Sequence, residues 1–545
     1  MPGALAFLRR HWLMSVLLGA GLLLRAASEV AYRPALIYVD TLKYLYGASP
    51  GADPLGYKAV LLAIGNLGIV ALLQHLLGLA VGVVIYAVLL RRGVTRWLAA
   101  MAAGAVPLDA YQLQIEQTIM PDIWFNAMVV AGLAVLLWRP AVSIPCAAAA
   151  GLILGTSATV RLLGEILVLP AVVYLLAAGG GWRPATARAV ALSAAFALPI
   201  LCYCTVSSLT TGHFWLARQQ SRSGRLAAAA DCATLRLPAD LRPLCPTPGE
   251  QAQGPDWLEH ATGSPLHDAP IPPGASRDTL IAAFDAAVER QQPIRVAASI
   301  ARDSVRLFAV TRTGTPTGCR SARCHAGPPG APGLGRAAYP PRITAIARWQ
   351  FQTSYPTYPP WVNVGRGNVI VVGVQQVASG RFRFVQLNRA YGGTARVDRP
   401  VAALLRAYQL GGGYTPGPLL AAFTLAGLAG SVPALARRRA GGLQTRQLAL
   451  ACLLFTVTAA TVLLVPDVLE FSWRYQLPAL FTLPPAGALG IGALLSSRQA
   501  HRLARSERVI ALSDVAWLPG PRCRGRPAGV RHGSPRPGRD GSRPG

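Results

Sequence analysis

Long apolar runs alternate with short polar turns along this chain, and the run lengths identify its class. A helix needs about 20 apolar residues to cross a hydrocarbon core of about 30 Å. Runs of that order, some shorter, stand at about 12–24, 59–90, 97–108, 123–138, 143–159, 162–178, 187–209, 417–435, 446–466 and 475–497. The expected fold is an all-α polytopic membrane protein with about ten transmembrane helices. The run at 59–90 exceeds one crossing by about ten residues, which predicts a tilted span preceded by a short interfacial helix. The run at 97–108 is short for a crossing.

Between residues 210 and 414 the long runs give way to Pro, Gly, Asp and Gln, so this stretch reads as one soluble insertion of mixed or unknown fold. Residues 498–545 are rich in Arg, Gly, Pro and Ser with little periodicity, and read as a disordered basic tail, either solvated or held against anionic lipid. Four segments result: an N-terminal transmembrane region 1–209, the insertion 210–414, C-terminal transmembrane helices 415–497 and the tail 498–545.

Composition agrees: 52% of residues are hydrophobic, 14% are charged and the mean hydropathy is +0.38. A net charge of +29 would suggest a nucleic-acid partner in a soluble chain. Here the arginines gather in the tail and in alternate short turns, at Arg9-Arg10, Arg91-Arg92 with Arg96, Arg139, Arg183 with Arg188, and Arg437 to Arg439 with Arg446. That is how orientation is encoded, so these turns are expected in the cytoplasm, the insertion outside, and nucleic acid is set aside. The first run follows Arg9-Arg10 without a clear small-x-small cleavage site and is read as a retained signal anchor.

Cys232 with Cys245 and Cys319 with Cys324 are the cysteines of the insertion, an even set suited to two local disulfides in an oxidising compartment. His325 makes zinc a competing reading for the second pair, with a fourth ligand missing. The cysteines of the spans, Cys146, Cys202, Cys204 and Cys452, read as packing residues.

Candidate chemistry lies at the outer ends of the spans. Asp40 sits among aromatic and apolar neighbours with no helix start beside it, and Asp53 opens Asp53-Pro54-Leu55-Gly56-Tyr57-Lys58. Asp53 reads either as an acid with a chemical task or as a turn and cap device. Asp122 leads an apolar helix, where a negative charge favours the helix dipole, and Glu116 six residues earlier is a candidate contact for a sugar or metal. Arg161 and Arg474 stand on the side that the positive-inside rule disfavours; Arg161 could instead pair with Glu165 one helical turn on. Such arginines suit a phosphate, with an acid handling a hydroxyl proton. Lys43 and Lys58, the only lysines, flank the first outer loop as phosphate contacts or stray interface charges. The aromatic, proline-rich stretch Trp349 to Trp361 suits sugar stacking or an irregular loop on the membrane surface. No Walker loop or Rossmann glycine fingerprint appears.

The order of these features resembles the GT-C glycosyltransferases, and in particular the bacterial relatives of protein mannosyltransferases and arabinosyltransferases. The acidic first outer loop (Asp40, Asp53-Pro54-Leu55-Gly56-Tyr57), the acidic second loop (Glu116 to Asp122), Arg161-Leu162-Leu163-Gly164 and Arg474-Tyr475-Gln476-Leu477-Pro478 carry the resemblance. It covers most of residues 1–210 and 415–497, but neither insertion nor tail. It implies that sugar moves from a polyprenyl-phosphate donor to an envelope glycan or protein at the extracytoplasmic face of the plasma membrane, with inversion. It also implies Asp40 as the base and Arg161 or Arg474 on the lipid phosphate. Thr41 stands where the family often has a second acid, so the base stays open between Asp40 and Asp53. Glu116, Asp122, Tyr475 and Lys58 complete the candidate substrate contacts. The departing phosphate needs arginine or a divalent cation, magnesium or manganese, and no cofactor is fixed. Two other classes stay open: a lipid or solute transporter, which ionisable residues deep in the spans or repeated half-folds would favour, and a transferase-like scaffold without catalysis.

Overall fold

The longest apolar run, 59–90, breaks where local chemistry demands it. In the computed structural model, α1 (Trp12–Ala31) is followed by β1 (Tyr32–Arg33), a short α2 (Thr41–Tyr46), α3 (Gly56–Ile64) and α4 (Leu67–Arg91). Gly65 ends α3 in the left-handed region at φ 70°, and the Asn66 side chain caps α4 by accepting from the amides of Gly68 and Ile69. A short helix before the main span is what the excess length predicts. The structure describes residues 6, 8–37, 40–46, 53–178, 181–217, 221–260, 263–310, 350–353, 372–376, 382–386, 396–435, 443–469 and 473–515.

Next come α5 (Arg96–Leu108), α6 (Ala110–Gln117), α7 (Asp122–Leu137), α8 (Ile144–Val160), a 3-10 segment Leu162–Leu167, α9 (Val168–Ala177) and α10 (Trp182–Thr211). Gly151 and Gly155 let α8 and α10 touch along their backbones: a Cβ at either would stand 2.1 Å from the carbonyl oxygen of Leu192 or Phe196. This spacing of small residues brings helices together in lipid, where burial of apolar surface offers no gain.

Residues 223–308 are helical: α11 (Ser223–Ala229), α12 (Pro248–Gln251), α13 (Pro255–His260), α14 (Pro265–Asp268), α15 (Arg277–Gln291) and α16 (Pro293–Val305). They enclose a small core with Leu226, Leu241, Leu258, Phe284 and Val288. The disulfide Cys232–Cys245 is formed beside this core; Cys319, Cys324 and His325 lie outside the described residues, as do Trp349 and Ser354 to Trp361 of the aromatic stretch. Two strands, β2 (Val372–Gln376) and β3 (Phe382–Gln386), pair antiparallel with Val372 opposite Gln386. The insertion is therefore mixed. Its end returns to the membrane helices: β4 (Arg396–Val397) pairs with β1, and α17 (Arg399–Leu410) packs on α1. Phe351 stacks on Tyr32 at 5.6 Å.

In this helical part burial raises the Asp285 carboxyl to about 6, against the hydrogen bond donated by Ser223 Oγ (2.6 Å) and with the Glu259 and Glu289 charges adding to the rise. A carboxyl raised on folding contributes stability that is full below about pH 4 and lost as pH rises through the folded value. Asp285→Asn is expected to raise Tm near neutral pH and flatten its dependence on pH between about 4 and 7, read by thermal melts. An unchanged pH dependence would contradict this assignment.

Three helices close the chain: α18 (Gly417–Leu435), α19 (Leu443–Asp467) and α20 (Ala479–Val515). Helix α20 runs well past Arg498, so the expected tail begins as helix; no Gly or Pro occurs between Ala493 and Leu518 to stop it. Residues 516–545 lie outside the described residues. Among the described residues, five helices are long and apolar enough to cross a membrane, at Trp12–Ala31, Leu67–Arg91, Trp182–Thr211, Gln444–Asp467 and Ala479–Ser497, while α7, α8, the stretch Gly417–Val432 of α18 and the segment Leu162–Ala177 are apolar but shorter. The protein is thus a mostly helical membrane protein, and of the ten expected crossings these five are long enough by themselves.

Candidate functional site

At one end of the helices, residues from five parts of the chain meet in a cluster of charges. Asp122 occupies the first turn of α7, as a helix-dipole acid should, yet it is almost wholly buried. Arg474, also buried, donates from Nε to both Asp122 carboxylate oxygens at 3.1 Å and from Nη1 to Asp40 Oδ2 at 2.6 Å. Arg161 pairs with Asp122. Helix α8 ends at Val160 and Arg161 is extended (φ −143°, ψ 134°), so the helical spacing needed for a Glu165 pair is absent and the side chain turns to α7 instead. Charges this deep are retained only when opposite charge and hydrogen bonds surround them.

The mouth is more open. Lys43 pairs with Asp53 and lies 3.7 Å from Asp40; the side chains of Lys43, Asp40 and Asp53 are 30%, 28% and 19% exposed. Asp40 immediately precedes α2, contrary to the expectation of no helix start there. Asp53 caps no helix, because the N-cap of α3 is Leu55; its side chain serves Lys43. Burial raises the Asp40 carboxyl, but Lys43 and Arg474 outweigh it and hold it down to about 2. In this state Asp40 is ionised and a weak proton acceptor.

Aromatic rings frame the cluster. Arg161 and Arg474 both lie against Tyr475, at 5.2 and 5.6 Å from its centroid, within cation–π range. Tyr44, packed edge-on against Tyr57 at 5.3 Å, has a buried hydroxyl with no hydrogen-bond partner among the described residues. The loop carrying Arg474 is tied at a second point: Gln476 Nε2 donates to Asp467 Oδ1 (3.0 Å), whose other oxygen accepts from Ser304 Oγ of α16 (2.6 Å). Sequence reasoning missed Tyr44 and this tie. Lys58 lies half-buried in the first turns of α3.

Glu116 is not part of this cluster. It is fully buried, with Arg25 Nη2 donating to Oε1 at 2.9 Å, Gln112 Nε2 donating to Oε1 at 3.1 Å and His75 Nδ1 3.1 Å from Oε2. Gly78 makes room for it: a Cβ there would stand 2.1 Å from Oε1. The expected sugar or metal contact is therefore a buried ion pair between helices, its carboxylate taken up by protein groups. The first run was cut at Leu24 because Arg25 is charged; α1 continues to Ala31 and turns Arg25 inward. Ionisable groups do lie inside the helical body, which is the feature named above as favouring a transporter.

Three carboxylates (Asp40, Asp53, Asp122) face three cations (Lys43, Arg161, Arg474) in the cluster. An arriving phosphate must compete with carboxylates for the guanidinium groups, and whatever it displaces gains proton affinity. Among the described residues no group of three or more His, Cys, Asp or Glu is arranged to hold a metal ion. The carboxylates present are matched by arginine and lysine, so an anion gains guanidinium donors only by displacing a carboxylate. No protein-family model matches the chain, and no curated protein or solved structure matches it either.

Proposed function

We propose that the chain is a multi-pass plasma-membrane glycosyltransferase of the GT-C type, with about ten crossings and its site on the extracytoplasmic face. It moves a sugar from a polyprenyl-phosphate carrier to an envelope glycan or protein. The observation that supports this best is the sharing of Arg474 between Asp122 and Asp40, beside Arg161. Asp122 is the fixed partner that orients Arg474; Asp40 is the exchangeable one. When the donor phosphate takes the Nη side of Arg474, Asp40 loses its strongest hydrogen bond and becomes the stronger base.

The acceptor hydroxyl then attacks the anomeric carbon opposite the phosphate. Its proton passes to Asp40, the carbon–oxygen bond to phosphate breaks, and the electron pair leaves on the lipid phosphate, held by Arg474 and Arg161. One displacement inverts the anomeric centre. Asp53 keeps Lys43 at the mouth and is a positioning residue in this scheme. The buried hydroxyl of Tyr44 is a donor waiting for an oxygen of the substrate.

A second reading, a lipid or solute transporter, draws on the buried Arg25–Glu116–His75 network, since ionisable groups at membrane depth often line transport paths. Purified protein in liposomes, given a panel of polyprenyl-phosphate sugars and acceptors, separates the two. The transferase reading expects release of free polyprenyl phosphate that depends on acceptor. Movement of intact donor between leaflets with no sugar released would favour the transporter.

A further inference from the structure

The other end of the helices holds a second concentration of charge. A cavity of about 220 Å³ opens between the ends of α4 and α7 and the start of α19. Arg91, Arg92, Trp138, Arg139, Gln444 and Gln447 line it, and among the described residues its lining includes no carboxylate. Arg92 is the rigid part: it is buried, donating from Nε to the Leu137 carbonyl (2.8 Å) and from Nη2 to the Arg139 carbonyl (2.9 Å), which locks the two helix ends together. Arg91 lies over the Trp138 ring at 4.2 Å from its centroid.

Cations beside helix C-termini ordinarily offset the helix dipole, and Arg92 does that here. Arg91 and Arg139 go further. Their charge borders a concave space that would hold several waters at about 30 Å³ each, enough for a phosphate group with its ester oxygens. The amides of Gln444 and Gln447 add neutral donors. Trp138 is 41% exposed, and Trp97 and Trp182 stand exposed at neighbouring helix ends, an arrangement that marks a bilayer–water boundary.

We infer that this cavity is a binding site for a phosphate-bearing anion, the headgroup of an anionic phospholipid, distinct from the Asp40–Arg474 cluster and independent of the reaction there. The test uses the purified full-length protein in neutral detergent. Short-chain phosphatidylglycerol, phosphatidylcholine and inorganic phosphate are titrated separately, and bound molecules are counted by native mass spectrometry. Phosphatidylglycerol is expected to bind saturably, and roughly fivefold more weakly for each charge lost in Arg91→Gln and Arg139→Gln. Arg96→Gln, exposed and outside the cavity lining, leaves binding unchanged and controls for general surface charge. If inorganic phosphate binds with the same dependence on Arg91 and Arg139, the site takes free phosphate as well; if only the lipid binds, the source is the membrane. Equal binding of phosphatidylcholine and phosphatidylglycerol, or phosphatidylglycerol binding that survives loss of both arginines, overturns the inference.

Discussion

Asp40→Asn is expected to lower sugar transfer by about 10²–10⁴-fold while leaving the protein folded. Asparagine keeps the size of the side chain and can still accept from Arg474, so the Asp122–Arg161–Arg474 core is retained. What disappears, on the proposed reading, is the group that takes the acceptor proton. The loss should fall on kcat, because the donor is held by arginines rather than by Asp40. Asp53→Asn tests the other acid of the first loop. It frees Lys43 from its partner and should cost about tenfold or less, the effect of a misplaced charge at the mouth rather than a missing base. A larger loss for Asp53→Asn than for Asp40→Asn would exchange their roles.

Arg25→Leu is expected to have the largest effect on stability, about 3–5 kcal/mol, because it takes the guanidinium from a buried carboxylate and leaves Glu116 with only His75 and Gln112 in contact. The cost comes from the stranded carboxylate rather than from losing a favourable pair. Replacing both members, as Arg25→Leu with Glu116→Leu, should therefore recover much of the loss, and thermal melts in detergent read both variants. If the double variant is no better than the single one, the pair acts through its wider contacts: Arg25 also donates to the carbonyls of His75 at 3.2 Å and Pro107 at 2.7 Å. The same experiment bears on the transporter reading. A network whose double leucine variant retains sugar transfer is structural.

The Asp40–Arg474 charge cluster was legible residue by residue. Asp40, Asp122, Arg161 and Arg474 each stand at the end of an apolar run and break a rule there, either as acids at a costly depth or as arginines on the disfavoured side. Their partners were not legible, because Asp40 and Arg474 are 434 residues apart and nothing local joins them. The Arg161 pairing with Glu165 was a sound helical expectation that failed when the helix stopped one residue earlier. Glu116 was misread for a related reason. Hydropathy ends a span at the first charge, so Arg25 was left outside α1 and the acid it neutralises lacked a partner. The short helix before α4 was legible from excess run length, and its boundary follows from Gly65 and Asn66. Helix α20 beyond Arg498 was hidden by the Gly and Pro of the following residues, which dominate the composition of the whole tail.

The central claim is that a lipid phosphate and the Asp40 carboxylate compete for Arg474, and it is tested most directly by the affinity for polyprenyl phosphate, the product without its sugar. Binding to wild type, Asp40→Asn and Arg474→Gln would be measured in detergent at low salt. The account predicts opposite shifts: Asp40→Asn, inactive in transfer, binds polyprenyl phosphate more tightly because the competing charge is gone, whereas Arg474→Gln binds it at least about tenfold more weakly. Equal affinities in all three proteins, or weaker binding in Asp40→Asn, would contradict it.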